Sequence, residues 1–184
     1  MSVPHFQCLR CGECCKKLRK EVASGVVQGL FLFPKEVKLV KSLARQHGLK
    51  ISIKPQQAIG KKRHGKPRLR KTFSYQIADL MCPFFDEKTN ACIIYEKRPT
   101  ACRAFPITKT QGNRIVIASD CTWSMKRDAK PKEKVLIMGL DEEWRFAHRI
   151  DSYLMEKLWA DPSPWMWVFN LRSNSWQRGL KRKE

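Results

Sequence analysis

The sequence predicts an α+β fold: a small cysteine-cluster domain with short strands and one or two helices, followed by a C-terminal helical extension. Three observations predict it. Apolar residues recur at helical spacing in two stretches, from Pro34 to Gly48 and from Asp141 to Trp159. Elsewhere they alternate or run together over only a few residues, the pattern of short strands. Eight cysteines, Cys8, Cys11, Cys14, Cys15, Cys82, Cys92, Cys102 and Cys121, punctuate the loop-rich part of the chain. With 184 residues, 42% of them hydrophobic, there is material for one real core and an appendage. The expected division is a cysteine-cluster domain over residues 1–129 and a helical, Trp-rich extension with a basic tail over residues 130–184.

The elements follow in chain order. GVVQGLFLF, from Gly25 to Phe33, reads as a buried strand or an extended entry segment. The helix after it takes Pro34 in its first turn, presents Val37, Val40, Leu43 and Ala44 on one face, and stops at Gly48. KISIKP (50–55) is a short alternating strand ending at Pro55. GKKRHGKPRLRK, from Gly60 to Lys71, is the densest positive run, and its glycines and proline argue for a loop. KTFSYQIADLM (71–81) and NRIVIASD (113–120) read as further strands, the second after a turn at Gly112-Asn113. The helix over 141–159 carries acidic residues in its first turn, where the macrodipole favours them. Trp144, Ala147, Leu154 and Leu158 line one side of it, and Asp161-Pro162 ends it. The rings of SPWMWVFNLRSNSW (163–176) are expected to pack as a cap on the cysteine domain, with a mobile tail beyond.

The cysteines carry the chemistry. CLRCGECCKK, from Cys8, crowds four thiols just inside the N-terminus. The start of the chain shows no apolar run resembling a signal peptide, and no stretch approaches the ~20 apolar residues that span a bilayer. A cytoplasmic, reducing setting is therefore expected. There, clustered cysteines bind metal more often than they pair, and the neighbours Cys14 and Cys15 would pair only with strain. All eight are candidate metal ligands. The C-x2-C-x2-C spacing from Cys8 to Cys14 lets one tight loop offer three thiolates to a compact cluster. Bacterial ferredoxins use that run for a [4Fe–4S] cube, with a remote Cys-Pro as a further ligand, and Cys82 precedes Pro83 here. Zinc would use the same residues as knuckles, two pairs closing a tetrahedron. An iron–sulfur cluster of the [4Fe–4S] type is the first expectation and zinc the alternative. Arg10, Lys16, Lys17, Arg98 and Arg103 flank the cysteines and can offset their charge. His5, His47, His64 and His148 are not assigned as ligands, because eight thiols suffice.

A second stretch, MCPFFDEKTNACIIYEKRPTACRAFP from Met81 to Pro106, adds a more specific pattern. Phe6, Cys8, Cys11, Gly12, Cys14 and Cys15, then Cys82-Pro83-Phe84, Cys92, Ile94-Tyr95, Arg98-Pro99, Cys102-Arg103 and Phe105-Pro106 form the combination. It resembles the YkgJ-like cysteine-cluster family, the zinc- or iron-chelating CxxCxxCC domain, over about residues 6–125. Cys121 stands where many members carry a last cysteine, though Thr122-Trp123 follows it where a nearby glycine is expected. The resemblance implies metal or iron–sulfur binding. It also links the chain to a flagellin lysine N-methylase carrying the same domain, but no glycine-rich strand-to-helix fingerprint for a nucleotide or adenosyl cofactor occurs here.

The net charge of +20, from 37 Lys and Arg against 17 Asp and Glu, favours a polyanionic partner, nucleic acid before membrane. Two function classes follow. One is a metal-cluster protein that supports redox chemistry or modification of a protein or RNA. The alternative is a non-catalytic, zinc-folded basic module that binds RNA or a ribonucleoprotein through the Gly60–Lys71 run. No Ser-His-Asp or Cys-His arrangement is legible, so no catalytic residue is assigned.

Overall fold

The computed structural model describes residues 6, 8–22, 25–64, 66–111, 114–118, 121, 139–160 and 165–178. They form a mixed α+β structure in two compact units. The first is Met1–Lys16 with Phe84–Tyr153, and the second is Lys17–Pro83 with Leu154–Glu184. Four expectations fall outside the described residues: the turn at Gly112-Asn113, the helix stop at Asp161-Pro162, the role of His5, and the tail over 179–184.

The second unit is built on one antiparallel sheet. Its strands are β3 (Leu30–Leu32), β4 (Ile53–Arg63), β5 (Lys66–Ile77), β10 (Trp165–Asn170) and β11 (Ser175–Arg178), in the order β11-β10-β4-β5-β3. A two-stranded pair, β1 (Lys20–Glu21) with β2 (Val27–Gln28), precedes β3. The helix α2 (Pro34–Gln46) starts and stops as its sequence dictates. Pro34 occupies the first turn, the Glu36 carboxylate accepts the Phe33 N–H at 2.9 Å, and Gly48 follows with φ +66°, a left-handed backbone that glycine adopts without cost. Its buried face, Val40, Leu43 and Ala44, belongs to a core that includes Leu32, Phe33, Phe73 and Ile77. Buried side-chain amides join the strands, while the Trp167 ring N–H on β10 is buried without a partner among the described residues. Gln76 accepts the Gly29 N–H and donates to the Pro55 carbonyl, both at 2.7 Å, tying the entry of β3 to β4 through β5. The Asn170 side-chain oxygen accepts from Val27 N–H at 3.1 Å and Arg172 N–H at 2.9 Å.

Three sequence expectations need correction in this unit. The KISIKP strand does not end at Pro55 but continues to Arg63, so two strands of the fold are long rather than short. The ladder shifts register between Pro55 and Gln57, an irregularity next to the residue that has no N–H to give to the ladder. The run from Gly60 to Lys71 is not a loop. It is the paired end of β4 and β5, turning at His64 with φ 50°. The Trp-rich stretch is not part of a helical extension. Residues 165–178 form the hairpin β10–β11, which extends the sheet beside β4. Trp176 meets Phe169 edge-on at 5.4 Å between ring centroids, packed with Ala78, Leu171 and Val27.

The first unit has little regular structure. It contains α1 (Glu13–Lys16), the hairpin β6 (Phe85–Asp86) with β7 (Ala91–Cys92), a 3-10 turn over Tyr95–Lys97, α3 (Thr100–Ala104), and the pair β8 (Ile107–Gln111) with β9 (Arg114–Ile117). The helix α4 (Asp141–Trp159), expected over the same residues, contributes as far as Tyr153. Its buried residue Ala147 joins Ala104, Ile107 and Leu140, with Phe6, Ile117, Trp144, Phe146 and Ile150 packed around them. Asp86 organises the β6–β7 turn. Its carboxylate accepts from the Lys88 N–H at 3.0 Å and the Thr89 hydroxyl at 2.6 Å, which holds the carboxyl below its usual range.

Candidate metal centre

The N-terminal thiols are presented by a loop that folds into one helical turn. Gly12 has φ +77°, and a side chain there would run into the Phe85 ring, so only glycine allows the loop to lie on β6. The Gly12 carbonyl then accepts from Cys15 N–H at 2.9 Å and Lys16 N–H at 2.8 Å, which opens α1. Cys8 and Cys11 lie in the loop, and Cys14 and Cys15 on the turn, all half-buried. On an α-helix consecutive side chains diverge by about 100°. The Cys14 and Cys15 sulfurs nevertheless stand 3.9 Å apart.

Two further thiols come from later segments. Cys92 ends β7, opposite Phe85 in the hairpin. Cys102 sits in α3, where its N–H reaches the Pro99 carbonyl at 3.0 Å. Chain neighbours Leu9 and Ile93 are exposed while Cys8 and Cys92 are half-buried, so the thiols are turned inward relative to the apolar residues beside them.

The charges of these thiols report their proximity. Burial pushes the Cys102 thiol well up, and Cys14, Cys15 and Cys92 push it the same way, with Arg98 opposing. The Cys92 thiol is also raised, first by burial, then against a backbone hydrogen bond and Arg98, with Cys14 and Cys8 raising it further. The fold thus brings Cys8, Cys14, Cys15, Cys92 and Cys102 together from three segments of the first unit. Cys11 shares the loop with Cys8, and Cys121 is buried with its N–H on the Ala118 carbonyl at 3.3 Å. Cys82 is buried in the second unit. No disulfide joins any of the eight, all of which lie among the described residues.

Of the basic neighbours, Arg98 acts on the thiols and Arg103 turns elsewhere. Arg98 donates to the Tyr95 carbonyl at 2.8 Å, and its guanidinium lies 3.6 Å from the Tyr95 ring centroid, with Arg10 at 5.7 Å. Arg103 instead reaches Glu142 at 3.5 Å and lies 4.4 Å from the Phe146 centroid. Lys16 stands 5.7 Å from the Phe85 centroid. Sequence reasoning missed Glu143, which α4 brings within electrostatic reach of Arg98. Its carboxyl is raised, chiefly by burial, and an acidic first turn of a helix gives no local sign of such a neighbour.

These donors suit a chelated metal. Thiolates are soft ligands for zinc and iron–sulfur centres, and a half-buried thiol whose pKa is raised, as that of Cys102 is, keeps its proton until a cation displaces it. Among the described residues, no three His, Cys, Asp or Glu side chains converge in a metal-binding arrangement. The backbone gathers the sulfurs without focusing them on one point.

The class to which this donor set belongs is that of thiol-based chelators. The chain belongs to the CxxCxxCC family, described as a "putative zinc- or iron-chelating domain", whose model it matches over residues 7–122. No curated protein and no solved structure matches it. Among the described residues, no helix is long and apolar enough to cross a membrane.

Proposed function

We propose that this chain holds an iron–sulfur cluster on thiolates drawn from its eight cysteines, with Cys8, Cys14, Cys15, Cys92 and Cys102 at the centre of the ligand set. Cys11 and Cys121 join that set on the strength of the sequence pattern. The observation that carries the reading is that the fold sets Cys102, from α3, within electrostatic reach of Cys14 and Cys15 on α1 and of Cys92 at the end of β7. C-x2-C-x2-C suits three corners of a cubane, whereas one tetrahedral zinc more naturally takes two separated pairs. Bound iron–sulfur would supply one-electron chemistry. The chain's own part is to bury the sulfurs, to hold Arg98 against their negative charge, and to keep the loop of Cys8–Gly12 on Phe85. A reducing, cytoplasmic setting suits this chemistry.

One observation favours a second reading, zinc. Two thiolates on one tetrahedral zinc ion, with bonds of about 2.3 Å, stand about 3.8 Å apart. The Cys14 and Cys15 sulfurs are at 3.9 Å. Purification without oxygen, metal analysis and a visible spectrum separate the two. Brown protein with broad absorbance that bleaches on reduction supports iron–sulfur. Colourless, folded protein with stoichiometric zinc, prepared with iron supplied, overturns it in favour of zinc. In either case Cys92→Ser and Cys102→Ser should lower the metal bound per chain, and full occupancy in both would remove these thiols from the ligand set.

A further inference from the structure

The end of the β4–β5 hairpin has a property that sequence order does not reveal. β10 pairs with β4 only as far as Trp165 opposite Gly60, and β3 pairs with β5 only over Tyr75–Ile77. Beyond Gly60, among the described residues, β4 and β5 pair with each other alone. Lys61 stands opposite Arg68, Lys62 opposite Pro67, and Arg63 opposite Lys66. The outcome is a two-stranded ribbon projecting past the sheet, with Arg68 and Lys71 exposed and Arg70 between them in sequence. From Val37 to Ala78 the chain has no acidic residue to neutralise it.

Like charges directly opposite one another across an antiparallel pair are destabilising. The register places them so twice in three rungs. A polyanion lying along the ribbon would relieve that repulsion. The ribbon carries no apolar anchor for a lipid surface beyond Leu69, 40% exposed. Its form matters as well. A two-stranded β-ribbon is one of the shapes that the major groove of B-form DNA, about 12 Å wide, admits, whereas the major groove of A-form RNA is deep and narrow.

We propose that the Gly60–Lys71 ribbon docks on the phosphate backbone of double-stranded DNA along its major groove, without selecting a sequence. This surface is independent of the metal centre and does not rest on it.

The test uses the full chain with the metal it carries after purification, and fluorescence anisotropy on a labelled 20-bp DNA duplex over a range of salt. Lys61→Gln, Lys62→Gln and Arg68→Gln together should weaken binding on the order of 10–100-fold near 0.1 M salt. They should also flatten the salt slope by about 2.7, since each phosphate left unneutralised removes about 0.9 from it. The control removes the same charge from α2 through Lys35→Gln, Lys38→Gln and Lys41→Gln, three exposed residues, and should change affinity less than about threefold. If the ribbon triple variant does not fold, the exposed pair Arg68→Gln and Lys71→Gln should flatten the slope by about 1.8. Equal losses from the ribbon and α2 variants would overturn the proposal, leaving only diffuse attraction by net charge. So would tighter ribbon-dependent binding to an RNA duplex, or ribbon-dependent binding to phosphatidylserine vesicles without binding to DNA.

Discussion

The two compact units solve the problem of stability by different means. The second has a five-stranded antiparallel sheet, a capped amphipathic helix and buried Leu32, Phe33, Val40, Leu43 and Ile77. Its backbone hydrogen bonds run in long ladders. Apart from α4 as far as Tyr153 and the β8–β9 pair, the first has two-residue strands and helical pieces of four and five residues, with a small cluster around Ala104, Ile107, Leu140 and Ala147. Isolated helices that short do not form in water, and a two-stranded pair alone is marginal. Instead it has closely placed thiols, which are poor packing material when protonated and repel one another when ionised. The difference teaches where a bound metal would matter most: in the first unit, whose apolar cluster is small, rather than in the second, which has its own buried core.

Removing the metal is the largest perturbation and the most direct way to break this comparison. Structural zinc in small domains contributes apparent binding energies of about 10–16 kcal/mol, which is folding energy. Under reducing conditions with chelator, amides of β6, β7 and α3 should exchange markedly faster than with metal bound while those of β4 and β5 keep their protection, as read by hydrogen-exchange mass spectrometry. Equal protection of both units after verified metal removal would show that the first does not depend on it.

The converse perturbation acts on the second unit. Leu32 is fully buried, and Leu32→Ala should cost about 2–5 kcal/mol. Denaturant melts should show that loss while bound metal per chain stays unchanged. A fall in metal content would mean that the units share more than the comparison allows.

Smaller effects sharpen the first unit. Gly12→Ala forces a side chain into a left-handed backbone and against Phe85, and should cost more than about 1 kcal/mol. That loss belongs in the stability of the metal-loaded protein, measured with Gly48→Ala as the positive-φ control, where nothing lies within 4 Å.

Alkaline pH should destabilise the metal-free protein. The thiols of Cys102 and Cys92 are raised in the fold, so above the ordinary thiol value of about 8.5 the unfolded chain loses those protons first. The unfolded state then binds fewer protons than the folded one, and stability falls as pH rises through the folded values. Cys102→Ser should flatten that decline. For the metal-loaded protein the dependence reverses at acid pH, because protons compete with metal for sulfur.

The smallest effect expected is at the surface. Arg172 and Glu21 pair at 2.6 Å with both side chains more than half exposed, and Arg172→Ala should change stability by about 0–1 kcal/mol in a urea melt.

By itself the sequence determined what depends on neighbours along the chain. Both longer helices were legible because their signals are local: Pro34 at the start, Gly48 at the stop, apolar residues every three or four positions, and acids in the first turn of α4. The chelating character was legible too, since thiol chemistry and the C-x2-C-x2-C-C spacing need no fold to be recognised. Strand partners were not. Pro55 reads as a stop until pairing with β5 carries β4 past it through a register shift at Gln56, and the glycines around the basic run read as a loop until Lys61 meets Arg68. The Trp-rich stretch is apolar in no decisive period, and only its pairing with β4 makes it part of a sheet. The coming together of Cys102, Cys92 and Cys14, and the approach of Glu143 to Arg98, were likewise decided by the tertiary structure. Helical hydrogen bonds close within four residues, so nearby side chains govern them. Ladder bonds and thiol clusters join residues tens of positions apart, and the free energy that selects those partners belongs to the whole packed chain.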